Sequence, residues 1–294
     1  MKRSAVWLLA LGVLVISWGA PLARLTVAAP LAVAAWRMTL AAVALLSVRA
    51  LTGAPLLPPR HRAATVLAGI FLGLHFGTWI PSLWLTTVSA SVVLVTTAPL
   101  FVLLASPRYL GVPIVGRNVA SLLLAVTGVV VIAGGDFVLS PRAVAGDALA
   151  LVGAVCMAGY LVIGKRLRGE VPLGGYLGAV YGVAAAVLML ILAVGGVRLW
   201  PENRISWLFL LAMALGPTLV GHSTLNWALA HLQAYQVNLS VLLEPVLASV
   251  WAWLVLAEVP PLHVLPGAAL VLSALVLEFL PRRAPGPGAA GQAG

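Results

Sequence analysis

The chain has 294 residues; 62% belong to the set Ala, Val, Ile, Leu, Met, Phe, Trp, Tyr and Cys, and only 8% are Asp, Glu, Lys or Arg. Ordinary soluble domains carry about 25% charged residues, so this composition excludes a cytosolic enzyme, which could not cover its surface, and a disordered chain, which needs low hydrophobicity with high charge. The net charge of +10 comes from 17 basic and 7 acidic side chains scattered between apolar runs, which points to membrane topology and away from nucleic acid as a partner.

A bilayer-spanning helix needs about 20 mostly apolar residues. Apolar runs between Pro, Gly and Arg breaks predict ten spans, near 5–22, 30–48, 63–85, 87–106, 116–135, 144–164, 173–195, 206–230, 235–256 and 262–280. The first run follows Lys2-Arg3 as a secretory signal would, but the spans behind it make it a retained helix. With the N-terminus inside, the inner loops hold Lys2, Arg3, Arg49, Arg60, Arg62, Arg108, Arg117, Lys165, Arg166, Arg168, Arg282 and Arg283, twelve in all. The outer loops hold four: Arg24, Arg142, Arg198 and Arg204. That 12:4 split predicts both termini in the cytoplasm, and an odd number of spans would scramble it. Lys165, Arg166 and Arg168 read as topology charges that could also meet anionic lipid. Glu278, four residues before Arg282, reads as a solvated helix-end pair. Gly69, Gly73 and Gly77, and again Gly174, Gly178 and Gly182, form stripes on which helices pack closely. The single cysteine, Cys156, excludes an intrachain disulfide and a cysteine metal cluster, and no cofactor motif is present.

The halves repeat. An offset of 146 lays Ala98-Pro99-Leu100-Phe101 on Glu244-Pro245-Val246-Leu247, an offset of 142 lays Trp18 on Tyr160 and Arg24 on Arg166, and an offset of 147 lays His75 on His222 and Trp79 on Asn226. Five spans per half is an odd number, so the second half enters the membrane from the opposite side, as in secondary transporters that alternate access around a midplane site. The expected organisation is all-α: a first repeat over 1–139, a second over 140–281 and a disordered cytoplasmic tail over 282–294, rich in Ala, Pro and Gly.

Ser17-Trp18-Gly19-Ala20-Pro21, Pro30 to Arg37, and Leu243-Glu244-Pro245-Val246 through Leu254-Val255-Leu256-Ala257-Glu258 resemble the drug/metabolite transporter superfamily, EamA type. The resemblance spans nearly the whole chain and implies two repeats in ten helices and export of small metabolites. Two departures stand out: Val112 occupies the first-half position of Glu258, and Ser121 replaces the Gly that Gly267 retains. They weaken an electrostatic role for Glu258.

Ionisable groups inside a span are costly and mark function or a structural partnership. Glu244 is about 15 Å into the ninth span and Arg37 about 10 Å from the outer face, at 1.5 Å per residue. Glu244 is thus a candidate proton-coupling or cation-binding carboxylate and Arg37 a substrate-anion contact or counter-ion, or the two form a structural pair. Pro245 and Pro99 break their helices and release the carbonyls of Val241 and Val95. His75 with Trp79, and His222 with Asn226, share helix faces. These four, with Arg37, Trp18, Tyr160 and Asn238, are the expected solute-binding residues, and Gln236 is a further lining candidate.

No G-x-x-x-x-G-K-[ST] motif occurs, so transport would draw on an ion gradient, on exchange or on the solute's own gradient, with protons a candidate coupling ion. Gly221-His222-Ser223-Thr224-Leu225 holds half of a nucleophile elbow, which keeps an intramembrane hydrolase as one alternative; a non-transporting receptor or scaffold is another. The expectation is a non-enzymatic secondary transporter whose partners are a small solute, the lipid bilayer and a second copy in a homodimer; export of amino acids or related metabolites is what the family resemblance implies. Fifteen Arg against two Lys suggests a GC-rich bacterial genome, hence the inner membrane.

Overall fold

The computed structural model describes residues 2–53, 57–86, 88–133, 140–256 and 262–280; Glu258, Arg282 and the expected tail lie outside them. All secondary structure among the described residues is helical. Apolar runs in lipid must satisfy each N–H and C=O within their own segment, and a helix does so. In chain order the helices are α1 (Lys2–Ile16), α2 (Gly19–Leu25), α3 (Pro30–Thr52), α4 (Arg62–Leu85), α5 (Val88–Val95), α6 (Ala98–Leu110), α7 (Gly116–Ala133), α8 (Pro141–Leu167) and α9 (Leu173–Val194). Then come α10 (Ile205–Met213), a π-helical stretch (Ala214–His222), α11 (Ser223–Ala228), α12 (Ala234–Ser240), a 3₁₀ turn (Val241–Leu243), α13 (Glu244–Leu256) and α14 (Val264–Phe279).

Among the described residues, seven stretches are long and apolar enough to cross a membrane: Ser4–Leu25, Pro30–Thr52, Pro59–Leu85, Ala90–Leu110, Pro141–Leu167, Leu173–Val194 and Ile205–Ala228. Their ends lie within four residues of those expected from hydropathy. Gly116–Ile132 and Val264–Phe279 are shorter apolar helices. The expected ninth span is divided by its 3₁₀ turn. The chain is therefore a multi-pass membrane protein.

Hydrogen bonds at the helix termini define two ends of the bundle. At one, Arg117 Nη1 donates to Leu280 O (3.0 Å), and His61 Nε2 lies 3.3 Å from Glu170 Oε2. Here Lys165 is more than a topology charge. Its Nζ donates to Leu229 O and Leu232 O, both at 2.8 Å, and so satisfies two carbonyls of the turn between α11 and α12. At the other end, Val27 N donates to Ser206 Oγ (2.9 Å), Arg24 Nη1 to Leu83 O (3.2 Å) and Arg142 Nη2 to Trp84 O (3.0 Å). Trp36 packs there against Trp207 and Trp200, at 4.7 and 5.4 Å between ring centroids.

The first glycine stripe closes α4 on α9. A Cβ on Gly69 would stand 2.6 Å from Val183 Cβ and 2.9 Å from Val180 O, and one on Gly73 3.1 Å from Ala184 O. The second stripe differs from expectation: Cβ atoms on Gly174 and Gly182 would meet nothing within 4 Å, so those positions impose no close approach within the chain. A close backbone crossing lies between α7 and α14, where a Cβ on Gly128 would stand 2.7 Å from Gly267 O and one on Gly267 2.7 Å from Gly128 O.

Glu278 also departs from expectation. It is 2% exposed rather than solvated. Asn118 Nδ2 donates to both its oxygens (3.2 Å each), Ser121 Oγ to Oε2 (3.0 Å) and Gln236 Nε2 to Oε1 (3.2 Å), with Arg117 Nη2 4.0 Å away. Tyr235 Oη donates to Asn118 O (2.7 Å) and lies 2.8 Å from Ser121 Oγ. A carboxylate this deep is tolerated because donors from α7 and α12 fill its acceptor sites. Ser121 and Gln236 belong to this cluster.

Candidate functional site

The broken helices line a small cavity, of about 40 Å³. Two of the breaks match at the offset of 146. α5 ends at Val95 and α6 starts at Ala98-Pro99; the 3₁₀ turn starts at Val241 and α13 starts at Glu244-Pro245. A proline cannot donate to the carbonyl four residues before it, but it fits the first turn of a new helix, where that donor is not needed. Each break therefore falls just ahead of its proline. Val95, Thr96 and Ala98 line the cavity from one break and Val241 and Glu244 from the other.

Arg37 enters from α3 and is 1% exposed. Its Nε donates to Thr218 Oγ1 (2.7 Å), and its Cζ lies 4.2 Å from the centroid of Phe76. Thr218 in turn donates to Met213 O (3.1 Å), five residues back, the spacing of the π-helical stretch. The widened turn, which contains Pro217, thus presents a hydroxyl to the guanidinium. Arg37 Nη1 has no hydrogen-bond partner.

His75 and Trp79 enter from α4 with their rings stacked, 5.8 Å between centroids and 15° between planes. His75 Nδ1 lies 2.9 Å from Gly153 O, an acceptor only, so Nδ1 carries the proton of the neutral ring. His222 packs edge-on against Phe76, 5.4 Å between centroids, and its Nδ1 is unpartnered. So are Trp79 Nε1, Asn238 Nδ2 and Glu244 Oε1. Stranding a buried polar atom costs about 1–3 kcal/mol. Five residues bordering one cavity share this condition: Arg37, Trp79, His222, Asn238 and Glu244. Arg37 and Glu244 have opposite charges but no N–O approach within 4.0 Å, so they form no direct ion pair.

Of the nine expected solute and coupling residues, six border the cavity: Arg37, His75, Trp79, His222, Asn238 and Glu244. Three do not. Trp18 packs against Trp251, 4.6 Å between centroids, and Trp251 Nε1 donates to Ser17 Oγ (2.7 Å). Tyr160 is fully buried and accepts a hydrogen bond from Asn226 Nδ2, which also donates to His222 O (2.9 Å). These two therefore sit behind His222. Sequence reasoning missed Thr218 and Thr96, each of which lies next to a proline break in an apolar run and is legible from that. The half-elbow places Ser223 Oγ 3.5 Å from Tyr181 Oη, so its neighbour is a phenol rather than an imidazole base. Among the described residues, no three His, Cys, Asp or Glu side chains are grouped to hold a metal ion.

A multi-pass helical protein whose broken helices line a cavity bordered by buried charged and polar side chains has the architecture of a membrane transporter. The chain belongs to the EamA-like transporter family, whose profile matches it twice, over residues 3–134 and 144–280. That agrees with the resemblance to the drug/metabolite transporter superfamily. A solved crystal structure is similar, with a TM-score of 0.80 over 95% of this chain and 97% of its own, at 21% identity; the similarity is one of fold. No curated protein matches the chain significantly.

Proposed function

We propose that the protein is a secondary active transporter that carries small zwitterionic metabolites, amino acids foremost, through this cavity by alternating access. The observation that carries this reading is that Arg37 and Glu244 border one cavity without pairing, each with an unpartnered atom. A solute carboxylate suits the free donor of Arg37 and a solute ammonium suits Glu244 Oε1. Trp79 Nε1 and Asn238 Nδ2 supply further donors, and the His75–Trp79 stack offers a flat wall to an apolar side chain. Glu244 is the proposed proton-coupling group, since a carboxylate that binds the solute's ammonium when ionised releases it when protonated.

In this reading the chain forms ten transmembrane helices in two inverted repeats, 1–139 and 140–281, with both termini in the cytoplasm of a bacterium and export as the direction of transport. The matched breaks ahead of Pro99 and Pro245 and the double family match support the repeats. The test is uptake of a pooled amino-acid and metabolite panel into proteoliposomes, with and without a proton gradient, for wild type and Glu244→Gln. Gradient-driven flux in wild type, reduced about a hundredfold in a folded variant, is expected; that is the scale on which removing one partner of a buried charge pair is felt. Undiminished flux in Glu244→Gln would remove that residue from the mechanism, and no flux of any panel member would overturn the substrate class.

A further inference from the structure

The Glu278 cluster does more than join helices. α12 is seven residues long, and its two functional faces point apart: Gln236 reaches Glu278, and Asn238, two residues and about 200° on, borders the cavity. Tyr235 engages Asn118 and Ser121 beside the same carboxylate. On the chain-entry side, Lys165 holds the carbonyls of Leu229 and Leu232. On the other side, α12 runs into the 3₁₀ turn at Val241–Leu243, a short and poorly bonded stretch that suits a hinge. α12 is thus a short segment lying between the cavity and the Arg117 end of the bundle, fixed by one buried carboxylate and hinged next to Glu244.

The offset of 146 pairs Gln236, Glu278 and Asn118 with Ala90, Ile132 and Val264, which are all apolar. Ile132 packs on Gly267, where an added Cβ would stand 2.7 Å from its Cγ1. The Arg117 end therefore carries directional bonds to a charge, and the matching positions at the other end carry apolar side chains.

We propose that Glu278 is a positioning residue that latches α12 across the cavity, and that release of this latch opens the cavity at the Arg117 end. The proposal rests on the transporter reading, but it concerns access to the cavity and is testable without a substrate. A hydrogen-bonded charge suits such a latch because its geometry is specific: a small displacement of α12 strands several donors at once, leaving two discrete arrangements rather than a continuum.

The test uses the full chain in proteoliposomes with Cys156→Ser and a reporter, Val241→Cys, at the hinge lining the cavity. An impermeant maleimide is applied from each face in turn. Arg166→Cys, exposed at the Arg117 end, identifies which face is which. Glu278→Ala is expected to raise reporter labelling from that face by about tenfold or more, the consequence of losing hydrogen bonds to a charged group, while labelling from the opposite face falls or stays constant. Glu278→Gln, which keeps an acceptor oxygen, is expected to fall between. Should Glu278→Ala fail to fold, Gln236→Leu and Tyr235→Phe each remove one tie of the latch and are read in the same way. Unchanged labelling in the folded variants, or an equal rise from both faces, would overturn the latch and leave a tie that merely holds the bundle together. Loss of flux in the transport assay with side-selective labelling intact would instead overturn the transport reading alone.

Discussion

Glu244 and Glu278 are two buried carboxylates in consecutive helices, and their surroundings are opposite. Glu278 is met by Asn118, Ser121 and Gln236, whereas Glu244 keeps an oxygen without a partner and borders the cavity with Arg37. Burial alone does not separate them. Saturation does: a carboxylate whose acceptor sites are filled by its own protein contributes to the architecture, and one left with an open site is poised for something that arrives.

The sharpest way to break this distinction is to remove each charge and read stability and flux side by side. Glu278→Ala strands the amides of Asn118 and Gln236 and the hydroxyl of Ser121, each at about 1–3 kcal/mol, so a fall in detergent melting temperature of many degrees is expected. Glu244→Gln is nearly isosteric and strands no protein donor through Oε1, so its melting temperature should stay close to that of wild type while its gradient-driven flux collapses. If the two variants melted alike, saturation would not be what distinguishes these carboxylates.

Helix packing gives a second, smaller contrast. Gly69→Val places a Cβ 2.6 Å from Val183 Cβ and close to the backbone of α9, and overpacking of this kind costs about 1–3 kcal/mol. Gly182→Val has open space and should change melting little. Equal melting temperatures for the two would mean that α4 and α9 do not meet as closely as the structure places them.

Hydropathy revealed the spans because a run of apolar residues in lipid has few structural options, and this is a property of local sequence. The cavity was partly legible for a related reason. Arg37 and Glu244 are conspicuous as charges within apolar runs, and the matched prolines mark where the helices break. The Glu278 cluster was not legible. Spacing on one helix paired it with Arg282, which lies outside the described residues, and the donors that the structure shows lie at positions 118, 121 and 236, on other helices. The offset of 142 likewise paired Trp18 with Tyr160, yet α1 ends at Ile16 while α8 continues through position 160. A repeat in sequence does not impose the same surroundings on its two copies when one copy is broken and the other is not.

Tyr160 gives the finest test of the boundary between site and scaffold. Its hydroxyl accepts from Asn226, whose amide also bonds the backbone of His222, so it touches a cavity-lining residue only through an intermediary. Tyr160→Phe removes one acceptor while the bond from Asn226 to His222 O remains. The expected cost is about 1 kcal/mol of stability, seen as a small fall in melting temperature. Solute KM should hold within about twofold, because no solute-facing atom is lost and each tenfold would require about 1.4 kcal/mol of lost contact. A KM raised tenfold with melting unchanged would place Tyr160 against the solute and enlarge the cavity beyond His222. An unchanged KM with a lowered melting temperature would fix the edge of the site at His222.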